Sequence, residues 1–323
     1  MCGMVSGSKE DSMGVVENFA ADQQFICPKD QSNLSKSGET LSCSFGHQFP
    51  IVDGVPLLID EDNSVFTIKG LSQAAAANQA TYWHSGSGLR AAYRRMVGRV
   101  QNHTVHITAL PVEKAVAHVF ANNQSARVLV IGAADNDFND PRVTYSDIYR
   151  GKNVSVMFDA HSIPYPDGAF DCVVGIAVLE HVADPWKCAQ EMTRVVAPGG
   201  FVYSSIPFLQ PVHMGAYDFT RFTYLGHRRL WRQFEEVSSG PDMGPATSTA
   251  FALEHVFLGL SKRPGIKKFL RLFGIFVTAA IKPLDRLFRG RTGTLDCAAA
   301  TYFFGRKTDR TISDRELIGL YRS

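Results

Sequence analysis

The chain reads as an α/β protein on a doubly wound, mostly parallel sheet, and three observations lead there. Phe170 to Val178 is a nearly unbroken, valine-rich apolar run of strand length, as expected of a strand buried on both faces. Asp184-Pro185 then supplies an N-cap and a first-turn proline, and Trp186, Ala189, Met192, Val195 and Val196 recur at helical spacing. Pro198-Gly199-Gly200 stops that helix, and Phe201 to Ile206 resumes as a short strand, completing a strand–helix–strand unit.

Upstream, Arg127 to Ala133 is an apolar strand running into a glycine, Val143 to Asp147 is a second strand ending on an acid, and Phe158-Asp159 closes a third. Ligands of such sheets lie beyond the carboxyl ends of the strands, which selects Gly132, Asp135, Asp147, Asp159 and Glu180-His181. A glycine after the first strand lets backbone approach a ligand closely, and a carboxylate closing the second can accept both hydroxyls of a ribose. An acid with a small neighbour, Asp159-Ala160, can accept from an exocyclic amino group and leave room for a flat base. Adenosine is the natural tenant. A dinucleotide would need Gly-x-Gly-x-x-Gly at the first turn, and that pattern is missing. Two acids there, Asp135 and Asp137, suit a cationic sulfonium better than a pyrophosphate.

In order and spacing, Asp159-Ala160, Pro164, Phe170-Asp171, Val178-Leu-Glu-His-Val182 and Arg194-Val-Val-Ala-Pro-Gly-Gly200 resemble the class I S-adenosylmethionine-dependent methyltransferases of the type 11-like subgroup. The resemblance covers roughly residues 126 to 306. It implies a Rossmann-like, seven-stranded sheet whose last strand, Leu295 to Gly305, is antiparallel. It also implies a donor site of Gly132, Ala133, Asp135, Asp147, Ile148, Asp159, Ala160, Ala177 and His181. One departure stands out. The family's first loop reads acid-x-Gly-x-Gly-x-Gly, whereas here it is Val130-Ile-Gly132-Ala-Ala134-Asp-Asn136. That loss is the basis of the alternative reading, a non-catalytic binding or regulatory protein on a methyltransferase fold. Methyl transfer needs positioning more than acid–base help, so the lack of an obvious base does not count against an enzyme.

Residues 21–62 form a separate small module around Cys27-Pro-Lys-Asp30, Cys43-Ser-Phe-Gly46-His47 and Phe49-Pro-Ile-Val-Asp-Gly-Val-Pro-Leu-Leu58, with two strand pairs around turns. It resembles the zinc-ribbon-like domain known as a methyltransferase activator. Members that bind metal carry Cys-x-x-Cys in each half, and here Asp30 and Gly46 stand at the second positions. Cys27, Asp30, Cys43 and His47 make a conceivable substitute. The expectation is a metal-free module held by Phe25, Leu41, Phe45, Phe49, Ile51, Val55 and Leu57, docked on its own catalytic domain. Zinc is not expected.

Residues 63–125 read as a helical cap in which Tyr82, Trp83 and His84 pack on the surface or line the cleft. After the fifth strand, His213, Tyr217, Asp218 and Arg221 concentrate polar and aromatic groups where acceptors are recognised. His213 is a candidate base for a hydroxyl or amine; Asp218 and Arg221, three apart, alternatively pair with each other. A basic helical insertion, 252–291, holds nine Lys and Arg against Asp285 between Phe257 and Arg291. Ile266, Phe269, Leu270, Phe273 and Val277 fall on one helical face, which predicts a hairpin packed on the sheet or, alternatively, membrane-surface contact through 262–291.

The 323 residues allow one large domain, 126–308, beside the small one, with a flexible tail at 1–20 and a peripheral one at 309–323. A net charge of +2 gives no sign of a nucleic-acid binder driven by bulk charge. Six scattered cysteines read as reduced thiols, and without a secretory or spanning segment the expected compartment is the cytoplasm. The expected acceptor is a small molecule, a lipid or a saccharide intermediate.

Overall fold

The structure is a computed structural model, and it describes residues 24–76, 105–133, 137–291 and 293–322. Tyr82, Trp83, His84, Ala134, Asp135 and Asn136, together with the tail 1–20, lie outside these residues. In chain order the elements begin with β1 (Ser35–Ser37), β2 (Thr40–Ser42), β3 (Gln48–Val52), β4 (Val55–Leu58), α1 (Ile68–Ala76) and α2 (Val112–Asn122). Then come β5 (Val128–Ile131), β6 (Val143–Asp147), β7 (Val156–Phe158), β8 (Phe170–Ile176), α3 (Pro185–Val195) and β9 (Val196–Pro207). The last third holds α4 (Tyr224–Leu230), β10 (Phe234–Met243), α5 (Pro245–Gly259), α6 (Pro264–Ala279), α7 (Asp285–Phe288), β11 (Ala300–Lys307) and α8 (Asp314–Ile318).

The strands join in the order β1-β2-β3-β4-β7-β6-β5-β8-β9-β11-β10. From β4 to β9 by way of β7, β6, β5 and β8 every pairing is parallel, and β11 is antiparallel to both β9 and β10. The doubly wound sheet with an antiparallel last strand is therefore present. The central strands β5, β7 and β8 are buried almost throughout, because helices and loops cover both faces of a parallel sheet. The order reverses between β5 and β8, which places the ligand crevice beyond their carboxyl ends.

The last strand, β11, begins at Ala300 rather than Leu295, and the structure departs from the expected elements in three further respects. α3 begins where expected, with Asp184 accepting from the Lys187 amide at 3.0 Å, but it ends at Val195, and β9 starts at Val196 rather than at Phe201. Trp186 is not core: it is 49 % exposed and meets Phe222 edge-on. β10 went unread, since Phe234-Glu-Glu-Val-Ser-Ser-Gly-Pro-Asp-Met243 lacks a strand's apolar pattern and is held by its pairing with β11.

The N-terminal module consists of two hairpins, β1–β2 and β3–β4. Phe25, Leu41, Phe49 and Ile51 belong to one continuous core with the large domain, and Val55 and Leu57 pack with Met157. Phe45, expected in that core, is 74 % exposed on the turn after Cys43. Docking runs through backbone as well, with Leu57 and Leu58 of β4 in register with Met157 and Phe158 of β7.

The insertion is a helical hairpin, α5 and α6, but its buried seam is not the predicted stripe. Gly274, Ile275 and Thr278 are buried, while Ile266, Phe269 and Phe273 stay exposed and Leu270 and Val277 are half-buried. A polar link fixes this rotation: Thr278 Oγ1 donates to buried Glu254 at 2.7 Å, and Lys282 Nζ lies 3.5 Å from the same carboxylate. The start of α5 is pinned by buried Asp285, which accepts from the amides of Gly244, Ala246 and Thr247 and from the Thr247 hydroxyl.

Candidate active site

Gly132 follows β5 at φ +65°, and a Cβ there would come within 2.5 Å of Val178 Cγ2. Both facts demand glycine, and together they hold the first loop against the end of β8. Ala133 is buried in the core, and its amide donates to the Ser146 carbonyl at 3.0 Å, so its side chain is structural. Asp147 ends β6 half-buried, with one oxygen accepting from the Tyr149 amide at 3.0 Å. Ile148 packs on the cluster around Leu57 and Met157.

Asp159, directly after β7, is buried and engaged on both oxygens, one by His161 and one by the Ser64 hydroxyl. Those hydrogen bonds hold its carboxyl below the usual carboxylate range despite burial. Oδ1 accepts from both the His161 ring and the His161 amide, so Oδ2, shared with the Ser64 hydroxyl, keeps a lone pair for a ligand donor. Ala160 beside it is buried. Ser64 marks a strap that the sequence did not reveal: two residues on, Phe66 stacks on Tyr217 at 5.6 Å and meets Tyr149 edge-on at 6.3 Å. The strap thus bridges the β6 side of the crevice to the loop after β9.

Ala177 adopts φ +51°, a left-handed conformation that costs an alanine free energy, at the end of β8. The chain then turns through Glu180 and His181. His181 Nδ1–H donates to the Tyr217 carbonyl at 2.7 Å, and its ring lies 4.7 Å from that of His213, so His181 packs with residues of the 210–221 loop. Glu180 is 1 % exposed, and neither of its carboxylate oxygens has a hydrogen-bond partner. Burial pushes its carboxyl up to about 8, only partly offset by its own backbone and by Arg221. Nothing in the sequence separates this acid from a satisfied one.

Asp218 and Arg221 pair, and Arg221 also donates to the carbonyls of Gln210, Pro211 and Thr220, while the Asp218 carboxylate accepts from the His213 amide at 2.8 Å. The pair therefore braces the 210–221 loop that carries His213 and Tyr217. Beyond it, a cavity of ≈ 520 Å³ opens between that loop and α5, lined by Phe208, Gln210, Pro211, Ser248, His255 and Cys297 among others.

In the module, Cys27, Asp30, Cys43 and His47 converge, with their donor atoms all within 4.8 Å of one another. His47 Nδ1 lies 3.5 Å from Cys27 Sγ and 3.4 Å from Cys43 Sγ, and Asp30 Oδ2 lies 3.3 Å from Cys43 Sγ and 2.8 Å from His47 Nδ1. Tetrahedral zinc with ordinary bond lengths would space such donors by roughly 3.4–3.8 Å. Three of these separations lie within about 0.1 Å of that range and Asp30 and His47 would have to part by about 0.6 Å or more, so the cluster expected to be metal-free carries a donor set of zinc type.

Residues 106–204 match the family described as methyltransferase domain. An uncharacterized methyltransferase of Mycolicibacterium gilvum is 31 % identical over 134 residues, 34 % of this chain and 51 % of that protein. Ajmaline N-methyltransferase of Rauvolfia serpentina is 47 % identical over 55 residues, 17 % and 18 % of the two chains. The chain thus spans about half or less of the length of these relatives. Among solved structures, a Haemonchus contortus phosphoethanolamine N-methyltransferase bound to S-adenosylhomocysteine is similar at 12 % identity and TM-score 0.36, over 67 % of this chain and 58 % of that one. Over residues 106–204, therefore, the chain is similar to a methyltransferase domain.

Proposed function

We propose that the chain transfers a methyl group from S-adenosylmethionine to a small-molecule, lipid or saccharide acceptor. One observation carries this reading: Gly132, Asp147 and Asp159 stand at the carboxyl ends of three adjacent parallel strands, β5, β6 and β7, beside the reversal of strand order. The bare Gly132 backbone admits the donor, Asp147 accepts from its ribose hydroxyls, and Asp159 accepts from its base amino group through the Oδ2 lone pair left by Ser64. The donor supplies an electrophilic sulfonium methyl, so the residues around it act mainly by orientation and exclusion of water. Phe66, between Tyr149 and Tyr217, is suited to that exclusion. On the acceptor side the 210–221 loop and the cavity beside α5 provide the recess. The partial family match and relatives named as methyltransferases favour an enzyme over a scaffold that has lost its donor loop.

The partner surface in this reading is an anionic membrane. Phe269, Phe273 and Phe276 are 65 %, 45 % and 79 % exposed on α6, beside Lys267, Lys268 and Arg271. Among the described residues no helix is long and apolar enough to cross a membrane, so contact would be interfacial.

Calorimetric titration with S-adenosylmethionine and S-adenosylhomocysteine tests the donor assignment, with a dinucleotide as control. Micromolar binding of both, lost in Asp147→Ala with the fold intact, is expected. Absence of heat with either ligand overturns the assignment.

A further inference from the structure

Glu180 poses a physical problem that donor binding does not solve. Its carboxylate is buried, lacks any hydrogen-bond partner, and sits where an uncompensated charge is expensive. Two imidazoles flank it: His181 Nε2 lies 3.6 Å and His213 Nε2 3.7 Å from Glu180 Oε1, and the three ligand atoms fall within 4.8 Å of one another.

The tautomers are set from outside the cluster. His181 Nδ1–H donates to the Tyr217 carbonyl, and His213 Nδ1 faces the Pro211 carbonyl at 3.3 Å and Asp218 Oδ2 at 3.4 Å. Each Nδ1 therefore keeps its proton and each Nε2 presents a lone pair. Histidines that ligate metals are oriented this way, the second nitrogen donating to a carbonyl or carboxylate. Two imidazole lone pairs converging on a carboxylate without hydrogen bonds leave three acceptors and no donor between them, an arrangement relieved by a proton on the carboxyl or by a metal cation.

We propose that Glu180, His181 and His213 form a divalent metal site. Two nitrogens and one carboxylate oxygen are the ligand set of open, three-residue sites, whose remaining positions take water or an oxygen ligand. Bond lengths near 2.1 Å would draw neighbouring donors to roughly 3.0–3.4 Å, so each imidazole has to close on Glu180 Oε1 by about 0.2–0.7 Å. His213 lies beyond residues 106–204, outside the matched family segment. It is held in place by the Asp218–Arg221 brace, which gives that pair a purpose. The site needs no methyl donor, so it stands or falls separately from the activity.

Mn²⁺ is the probe, because thiolate sites such as Cys27 and Cys43 select softer ions. Protein freed of metal with a chelator is titrated with Mn²⁺, and free ion is read by electron paramagnetic resonance. One bound Mn²⁺ is expected, weakened by about tenfold or more in Glu180→Gln and in His213→Ala, and unchanged in Cys43→Ser. His213 is partly exposed on a loop, so His213→Ala tests the site without disturbing the core. Superimposable titrations of wild type and both variants, or no binding by wild type at millimolar Mn²⁺, overturn the proposal.

Discussion

Val178 Cγ2 occupies the space in which a side chain on Gly132 would begin, 2.5 Å from the position of its Cβ. Gly132→Ala combines that clash with a left-handed backbone at φ +65°. It is expected to lower stability by about 2–3 kcal/mol and to weaken donor binding. Adding Val178→Ala should recover the steric part and leave the backbone part. Denaturant unfolding of the single and double variants checks this, and a Gly132→Ala protein as stable as wild type refutes it.

His227 governs acid stability. Fully buried between Thr301 Oγ1 and Ser204 Oγ at 3.0 and 2.9 Å, it is pushed down to about 3 by burial, with Arg228 adding to the effect. Its folded-state value lies below the unfolded one, so below pH 6.5 the unfolded chain binds a proton the native chain refuses. Stability should therefore fall as pH drops from about 6.5 toward 3, by at most about 1.4 kcal/mol per pH unit from this group. His227→Gln should flatten the slope between pH 6.5 and 5, above the range where most carboxylates titrate. Equal slopes in the two proteins would remove His227 from the account.

Asp285 joins α7 to the first turn of α5 through three amides and a hydroxyl. Asp285→Ala leaves these buried donors unpaired and should cost about 3–5 kcal/mol. Asp285→Asn, which retains one acceptor oxygen, should cost less. Thermal melts of both variants decide the order.

In the N-terminal module, metal analysis of protein purified without chelator should find zinc that is released when thiols are blocked, with a drop in melting temperature. If none is found and none is taken up, the cluster of Cys27, Asp30, Cys43 and His47 is held by its hydrogen bonds alone.

For the hairpin, flotation with vesicles rich in anionic lipid should recover the wild type and lose a Phe269→Ser, Phe276→Ser protein. High salt should weaken recovery through loss of the lysine and arginine attraction. Equal recovery of both proteins removes the membrane from the proposed function.

The legible parts of this chain were those in which local pattern and tertiary place agree. Val143 to Asp147 was read to the residue because its burial and its terminal acid both lie in sequence. Cys27, Asp30, Cys43 and His47 could be grouped because the resemblance to a ribbon module aligns them with its paired ligand positions. β10 was not legible, since its stability comes from β11, more than fifty residues later. The face of α6 was misjudged because Glu254 and Thr278 draw a polar seam inward and turn the phenylalanines out. Ser64 and Phe66 carry no local sign that they cross the crevice. The isolation of Glu180 is equally invisible, being defined by what its neighbours fail to provide.

The pairing of β4 with β7 has a consequence for any shortened form of the protein. Val156, Met157 and Phe158 are all buried apolar residues, and β4 satisfies backbone groups along their outer side. A chain begun after β4 would present that strand bare, as a template for another copy of itself. Self-association, rather than loss of the fold, is the failure to look for when the first sixty residues are removed, and light scattering would register it before any change in circular dichroism.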